Sequence, residues 1–169
     1  MNNLKSRRAF IVGLSSTKIT NKERHFLRKY KPWGVILFAR NIKSVDQTKK
    51  LTNDIKKIFK DSKYPILIDE EGGMVTRIRS IIDNSHFPAK YFGDNYKKDK
   101  TKSLLYLRTY IKQISHLLRY MGISINTVPV LDIPRPFTSK VIGTRAISKD
   151  INVINKIGEK TIEHFKEAR

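Results

Sequence analysis

Cysteine is absent from this chain. That excludes disulfides and thiolate metal sites, and it removes any need for an oxidising compartment. Long apolar runs are also lacking: none approaches the roughly 20 residues of a membrane-spanning helix. The short run Ala9-Phe10-Ile11-Val12-Gly13-Leu14, which follows basic residues, is too short for a secretory core and has no clear cleavage site. A soluble, cytoplasmic protein with no membrane partner is therefore expected. No glycine-rich dinucleotide fingerprint follows any apolar run, and no phosphate-binding Walker loop occurs. An open nucleotide-binding sheet thus has no positive support.

Acidic residues are scarce, with 15 Asp and Glu against 35 Lys and Arg and a formal charge of +20. Such a balance raises nucleic-acid binding as a class. The lysines, however, are scattered as Lys49-Lys50, Lys56-Lys57 and Lys97-Lys98 over several helical patterns, with no arginine stripe and no interleaved aromatics. Compositional bias accounts for them better than a dedicated nucleic-acid surface, which stays as an alternative. The hydrophobic share of 39% in 169 residues is enough for a folded core.

Short apolar runs alternate with helical patterns. Strands are expected at Arg8 to Leu14, Val35 to Phe38, Pro65 to Ile68 and Ile123 to Val128. The first helix is expected at Thr20 to Tyr30, with Thr20 and Glu23 at capping-box spacing. The second is capped by Ser44, with Gln47 at the partner position and Leu51, Ile55 and Ile58 at helical spacing. Asp69 to about Asp99 reads as a long loop. A helix from about Thr101 to Met121 follows, carrying Leu104, Leu107, Ile111, Ile114 and Leu118, and a last one runs from about Lys149 to the end. Continuous apolar strands suit a parallel sheet buried on both faces. The alternating order then predicts an α/β fold with parallel strands, about four βα units, or half of a (β/α)₈ barrel. The polar groups Arg40-Asn41, Asp69-Glu70-Glu71 and Asp132 fall just after expected strands, the rim where barrel active sites lie. Half a barrel would leave edge strands unpaired and inward apolar residues such as Ile36 and Ile66 uncovered, so self-association or a complementary half-barrel chain is expected.

Three segments carry a resemblance. They are Gly34-Val35-Ile36-Leu37-Phe38-Ala39-Arg40-Asn41; Pro65 through Arg77, with Asp69-Glu70-Glu71-Gly72-Gly73 at its centre; and Gly122 to Asp132 with Val141-Ile142-Gly143-Thr144-Arg145-Ala146. In this order and spacing the chain resembles glycoside hydrolase family 3, in particular the N-terminal part of its bacterial β-N-acetylglucosaminidases of peptidoglycan recycling. The resemblance implies that residues 1–169 form a partial N-terminal TIM-barrel domain of a truncated chain. It implies a retaining exo-glycosidase of O-glycosyl bonds acting on an N-acetylglucosamine-containing sugar. No cofactor is expected, and no metal, because adjacent side chains of the strand-like Asp69-Glu70-Glu71 point apart. The resemblance places the aspartate nucleophile and the histidine acid/base beyond Arg169, so no catalytic residue is expected within the chain. A non-catalytic remnant or split-gene fragment with weak sugar binding is the alternative to an active half.

By the same resemblance Asp69, Arg77 and Arg145 match substrate-binding positions. A carboxylate can accept from two sugar hydroxyls, and a guanidinium offers a rigid fork of donors. Glu71 is expected to satisfy backbone groups in the Gly72-Gly73 turn. Asp132 is expected to be structural, ending strand four and pairing with Arg145. Met74 stands where relatives often carry a basic residue. His25, His86, His116 and His164 show no ligand spacing, and none is assigned to catalysis.

Overall fold

A computed structural model describes residues 7–168. The chain divides into two compact units, Met1–Asp69 with Leu118–Asn126, and Glu70–Leu117 with Thr127–Arg169.

The first unit holds β1 (Arg8–Gly13), α1 (Asn21–Tyr30), β2 (Pro32–Leu37), a 3₁₀ turn (Ala39–Asn41), α2 (Val45–Phe59), β3 (Ile66–Ile68) and β4 (Ile125–Asn126). The strands form one parallel sheet in chain order, β1-β2-β3-β4. Parallel neighbours need crossover connections, and helical segments fill them, so the arrangement is that of the first half of a (β/α)₈ barrel.

The register sorts the side chains. Val35 pairs with Ile66 and Leu37 with Ile68, and all four are fully buried. One position on, Gly13 pairs with Ile36, Ile36 with Leu67, and Leu67 with Ile125. That second face is the more open one: Ile36 and Ile125 are partly exposed, and Ile11, two residues before Gly13, is 45% exposed. Ile36 and Ile66 were expected to share the inward face, but they do not. Neighbours along a strand point to opposite faces, and the pairing puts Ile66 with Val35. The fourth strand is shorter than expected, because the Ile123 N–H closes the preceding helix on the Leu118 carbonyl and Pro129 has no N–H to donate.

The start of α1 follows its sequence signature. The Thr20 hydroxyl accepts from the Glu23 N–H, and the Glu23 carboxylate accepts from the Thr20 N–H at 2.8 Å and the Ser15 N–H at 2.7 Å. Ser44 caps α2 through the Gln47 N–H, and the Gln47 side chain takes the Lys43 N–H. Leu27 of α1 and Leu51 and Ile55 of α2 are buried. The turn that leads into β4 needs glycine. Gly122 has φ +82°, and a Cβ there would lie 2.5 Å from the Thr52 hydroxyl, which itself donates to the Met121 carbonyl.

The second unit holds α3 (Ala89–Lys98), most of α4 (Lys100–Tyr120), a 3₁₀ turn (Gly143–Arg145) and α5 (Ile151–Glu167). Its core gathers Phe92, Leu107, Ile111, Ile147, Ile154 and Ile157. Helix α3 lies inside the segment expected to be loop. Its only two buried residues are Phe92 and Gly93, and Pro88 at its start offers no side-chain cap. Gly93 is there for packing, since a Cβ would stand 2.0 Å from the Ile147 carbonyl oxygen. A glycine required by a neighbour looks, in sequence, like a helix breaker. Helix α5 starts at Ile151 with Asp150 as its cap, and Arg169 lies outside the described residues.

Burial alone would raise the pKa of Glu23, but the backbone donors of Ser15 and Thr20 outweigh it and hold the carboxyl below its ordinary value. Its contribution is therefore present above the unfolded-state pKa and lost as pH falls through the lower folded-state value. Glu23→Ala is expected to lower stability by about 1 kcal/mol at pH 7, the scale of a lost cap. Thermal melts of the two proteins should converge as the pH is brought below the carboxylate range, and a pH-independent gap would show that the charge on Glu23 does not matter.

Candidate functional site

Ligands of parallel α/β sheets bind at the carboxyl ends of the strands. In the first unit those ends are Gly13-Leu14, Phe38 to Asn41, Asp69 and Asn126. Asn41 is fully buried and organises two of these loops at once. Its amide donates to the carbonyls of Leu14 at 3.0 Å and Ser16 at 2.8 Å, while its oxygen accepts from the Phe38 N–H at 2.9 Å. Gln47 adds a bond to the Thr17 carbonyl at 2.9 Å. The loop after β1 is thus tied to the turn after β2 by side chains with no remaining freedom. Asp69 follows Ile68 directly and is partly buried at the end of β3.

In the second unit the segment from Glu70 to Pro88 is built around one buried carboxylate. Glu70 is 2% exposed and accepts from the Thr76 hydroxyl at 2.6 Å, the Arg77 N–H at 2.7 Å, the Ile78 N–H at 3.3 Å and the Asn84 amide at 3.4 Å. Gly72 and Gly73 have φ of +76° and +64°, and a Cβ on Gly72 would lie 2.3 Å from the Phe87 carbonyl oxygen. Glu71 was expected to satisfy the backbone of the Gly72-Gly73 turn, but backbone bonds close it, Gly73 N–H to the Asn84 carbonyl at 2.9 Å and Val75 N–H to the Gly72 carbonyl at 3.3 Å, and the adjacent Glu70 takes the N–H groups of Arg77 and Ile78. The Glu71 side chain turns to Arg145, whose Nε and Nη2 bind its two oxygens at 2.8 and 2.9 Å. Arg145 does not pair with Asp132, which is exposed and lies six residues past β4. A bidentate fork–fork pair holds the guanidinium better than a single exposed acid could.

Beside this pair lies a cavity of about 50 Å³, lined by Glu70, Glu71, Tyr110 and Arg145 with apolar walls that include Phe92 and Ile157. It has room for a few waters, far below the ~300 Å³ at which ligand pockets begin. The Tyr110 hydroxyl is buried there with no hydrogen-bond partner among the described residues. Burial raises its phenol pKa above the ordinary value, and the Glu70 charge adds to the rise.

Of the residues singled out in sequence, Arg77 and Arg145 are each held by one of two adjacent acids. The Arg77 backbone is held by Glu70, and the Arg145 guanidinium by the adjacent Glu71. Asp69 belongs to the first unit. Met74 is 67% exposed. His25, His86 and His116 are exposed, whereas His164 is buried, with its Nδ1 3.3 Å from Glu167. Among the described residues no group of three or more His, Asp or Glu could hold a metal ion. In the sequence Asn41 and Glu70 stood out only as polar groups of the rim, with no role assigned, and Tyr110 was passed over. The signal for Glu70 was available, because two consecutive glycines in a turn require an anchor for the N–H groups that follow.

Residues 3–169 match the glycosyl hydrolase family 3 N terminal domain. The chain is 30% identical over 146 residues to a beta-hexosaminidase of Xanthomonas euvesicatoria, covering 85% of this chain and 42% of that protein. NagZ of Neisseria gonorrhoeae is similar in structure. Its complex with zinc ion gives a TM-score of 0.86 at 23% identity, over 96% of this chain and 48% of that one. Its complex with N-trifluoroacetyl-D-glucosamine gives 0.84. A family 3 beta-N-acetylglucosaminidase from Paenibacillus gives 0.79 at 24% identity, over 99% of this chain and 31% of that one. The chain thus spans less than half the length of these relatives.

The Glu71–Arg145 pair is mostly buried, with side chains 8% and 24% exposed. Removing either partner alone should cost about 1–3 kcal/mol, because the other loses its two charged hydrogen bonds. A double-mutant cycle with Glu71→Gln and Arg145→Gln, read by urea unfolding, is expected to give a coupling of about 1–2 kcal/mol. A coupling near zero would show the pair to be incidental.

Proposed function

The chain belongs to glycosyl hydrolase family 3 as an N-terminal domain of that family, and from that membership we propose that it is the glycone-binding part of a β-N-acetylglucosaminidase-like O-glycosyl hydrolase. The observation that carries this reading is Asp69, an acid at the carboxyl end of a parallel strand in a chain whose matched residues run almost from end to end. In this reading Asp69 accepts hydrogen bonds from two hydroxyls of a terminal N-acetylglucosamine. Arg77 and Arg145 donate to its remaining oxygens, the acyl oxygen among them. Residues 1–169 act as one partial barrel domain.

Retaining hydrolysis needs a nucleophile on one face of the sugar and an acid/base beside the leaving group, about 5–5.5 Å apart in the two-carboxylate case. We assign both groups to the part of the relatives' length that this chain does not span. Further β/α units, from a complementary half-barrel or a second copy, would pair β4 and cover the open sheet face at Ile11, Ile36 and Ile125. The substrate class is N-acetylglucosamine-containing sugars, a reading supported by the names of the relatives, beta-hexosaminidase and beta-N-acetylglucosaminidase, and extended here to the sugars of peptidoglycan turnover. No helix among the described residues is long and apolar enough to cross a membrane. A cytoplasmic setting belongs to the same proposal, since the apolar run at Ala9–Leu14 is used as strand β1. The alternative of a non-catalytic remnant draws on the small cavity at Arg145, which has no room for a sugar ring.

Purified residues 1–169 are expected to show no turnover of an aryl N-acetylglucosaminide. Addition of the C-terminal portion of the Xanthomonas relative should restore turnover in proportion to complex formed. Turnover by the pure chain, scaling with its concentration, would place the chemistry here after all, and a complex that forms without turnover would favour the remnant.

In the reconstituted barrel Asp69→Ala is expected to weaken an N-acetylglucosamine-analogue inhibitor by about 1.5–3 kcal/mol, the range for hydrogen bonds to a charged group. An unchanged inhibition constant would make Asp69 a loop acid.

A further inference from the structure

We propose that Arg40 is a preorganised anion-binding residue at the carboxyl end of the sheet, and that the group it takes is a carboxylate carried by the sugar ligand. The second half of this statement rests on the sugar-binding function proposed above; the first half does not.

Arg40 sits in the 3₁₀ turn that follows β2. Two contacts fix its guanidinium. Nε donates to the Leu14 carbonyl at 2.8 Å, and the guanidinium carbon lies 4.6 Å from the centre of the Phe38 ring. The Leu14 carbonyl is itself immobilised, because the buried Asn41 amide binds it as well. A stacked arginine with its Nε tied to the backbone can present only its outer edge, the two Nη groups, to a ligand. Those Nη groups are the donors of a fork that fits a carboxylate.

Gly13 shows where this fork lies. It is the last residue of β1 and pairs with Ile36, so its missing side chain would belong to the open face of the sheet. A Cβ at Gly13 would stand 3.1 Å from Arg40 Nη2 and 3.1 Å from Phe38 Cε2. The guanidinium therefore occupies the place above the open face that a side chain on β1 would otherwise fill. It lies at the carboxyl end of the strands, where ligands of parallel sheets bind.

Arg7 pairs with Asp61, Arg79 with Asp83, Arg108 with Glu167 and Arg145 with Glu71, whereas Arg40 makes no ion pair among the described residues. Three acids of the same unit are engaged elsewhere: Glu23 caps α1, Asp54 takes Lys50 and Asp61 takes Arg7. An arginine whose only task was to cover Phe38 would need neither the Nε bond nor the glycine beneath it. Holding the fork still before a ligand arrives lowers the entropy cost of binding.

The test uses residues 1–169 at constant ionic strength. Binding of N-acetylmuramic acid, which carries a carboxylate, is compared with that of neutral N-acetylglucosamine for the wild type, Arg40→Lys and Arg40→Gln. The wild type is expected to prefer the acid by about five- to tenfold, a modest share of what charged hydrogen bonds provide. Arg40→Gln should abolish the preference, and Arg40→Lys should keep only part of it, having the charge without the fork.

A second arm follows the Arg40 Nε–H resonance during titration with inorganic phosphate, with exposed Arg28 as reference. Arg40 should shift saturably and more than Arg28. Equal affinity of the wild type for both sugars, or a preference that survives in Arg40→Gln, overturns the carboxylate assignment and leaves sugar binding intact. Failure of both sugars to bind overturns the proposed function, and the phosphate arm then decides the anion site alone. Equal phosphate shifts of Arg40 and Arg28 would overturn it. Retained chemical-shift dispersion in each variant separates these outcomes from misfolding.

Discussion

Strand β2 is the element on which the first unit depends. It pairs with β1 on one side and with β3 on the other, and its register decides which face of the sheet the neighbouring strand residues take. Because side chains alternate across a strand, the pairing of Val35 with Ile66 at once separates a sealed face from an open one. A slip by a single residue would exchange Val35 and Leu37 for Ile36 and would turn the whole apolar set outward. The same register brings Gly13 beside Ile36 and so opens the space that the Arg40 guanidinium occupies. Core formation and the geometry of the rim are thus two results of one hydrogen-bond ladder.

Buried polar side chains do for the loops what the ladder does for the strands. A buried N–H or carbonyl without a partner is costly, so an internal acceptor or donor that serves several of them fixes a loop as firmly as apolar packing would. Asn41 joins the ends of β1 and β2 in this way, and Glu70 gathers Thr76, Arg77, Ile78 and Asn84. The two residues differ in consequence. Asn41 is neutral and adds rigidity without a field. Glu70 brings a charge into an apolar surrounding, where it also acts on the Tyr110 phenol. Glu71, next in the chain, points to Arg145 and neutralises it, so the arginines of this chain enter any binding site with unlike electrostatics: Arg145 compensated, Arg40 not.

That difference bears on function. A compensated guanidinium is suited to neutral oxygens such as hydroxyls and acyl groups, because a ligand need not bring a charge to meet it. An uncompensated one favours an anion. The two arginines differ in this respect through their protein partners, not through their own chemistry. The excess of basic residues over the chain as a whole, +20, adds a general attraction for anions that falls with salt. It does not discriminate between them.

Local signals were legible in the sequence wherever the cause was local. Thr20 with Glu23, and Ser44 with Gln47, are caps whose partners lie three residues away. The apolar runs at Val35–Leu37 and Ile66–Ile68 declare buried parallel strands because both faces of such a strand must be apolar. The family motifs were readable for the same reason, being contiguous runs such as Asp69-Glu70-Glu71-Gly72-Gly73. What depended on distant neighbours was not legible. Helix α3 was hidden because Gly93 answers to the Ile147 carbonyl, a contact 54 positions along the chain. The exchange of roles between Glu70 and Glu71 was hidden because adjacent acids are alike in sequence and differ only in which way the backbone turns them. Composition and spacing determined that this chain would be an α/β protein with parallel strands and a polar rim. Only the tertiary structure decided which acid holds the loop, which arginine is neutralised and which face of the sheet stays open, because each of these depends on a partner that the chain brings near only when folded.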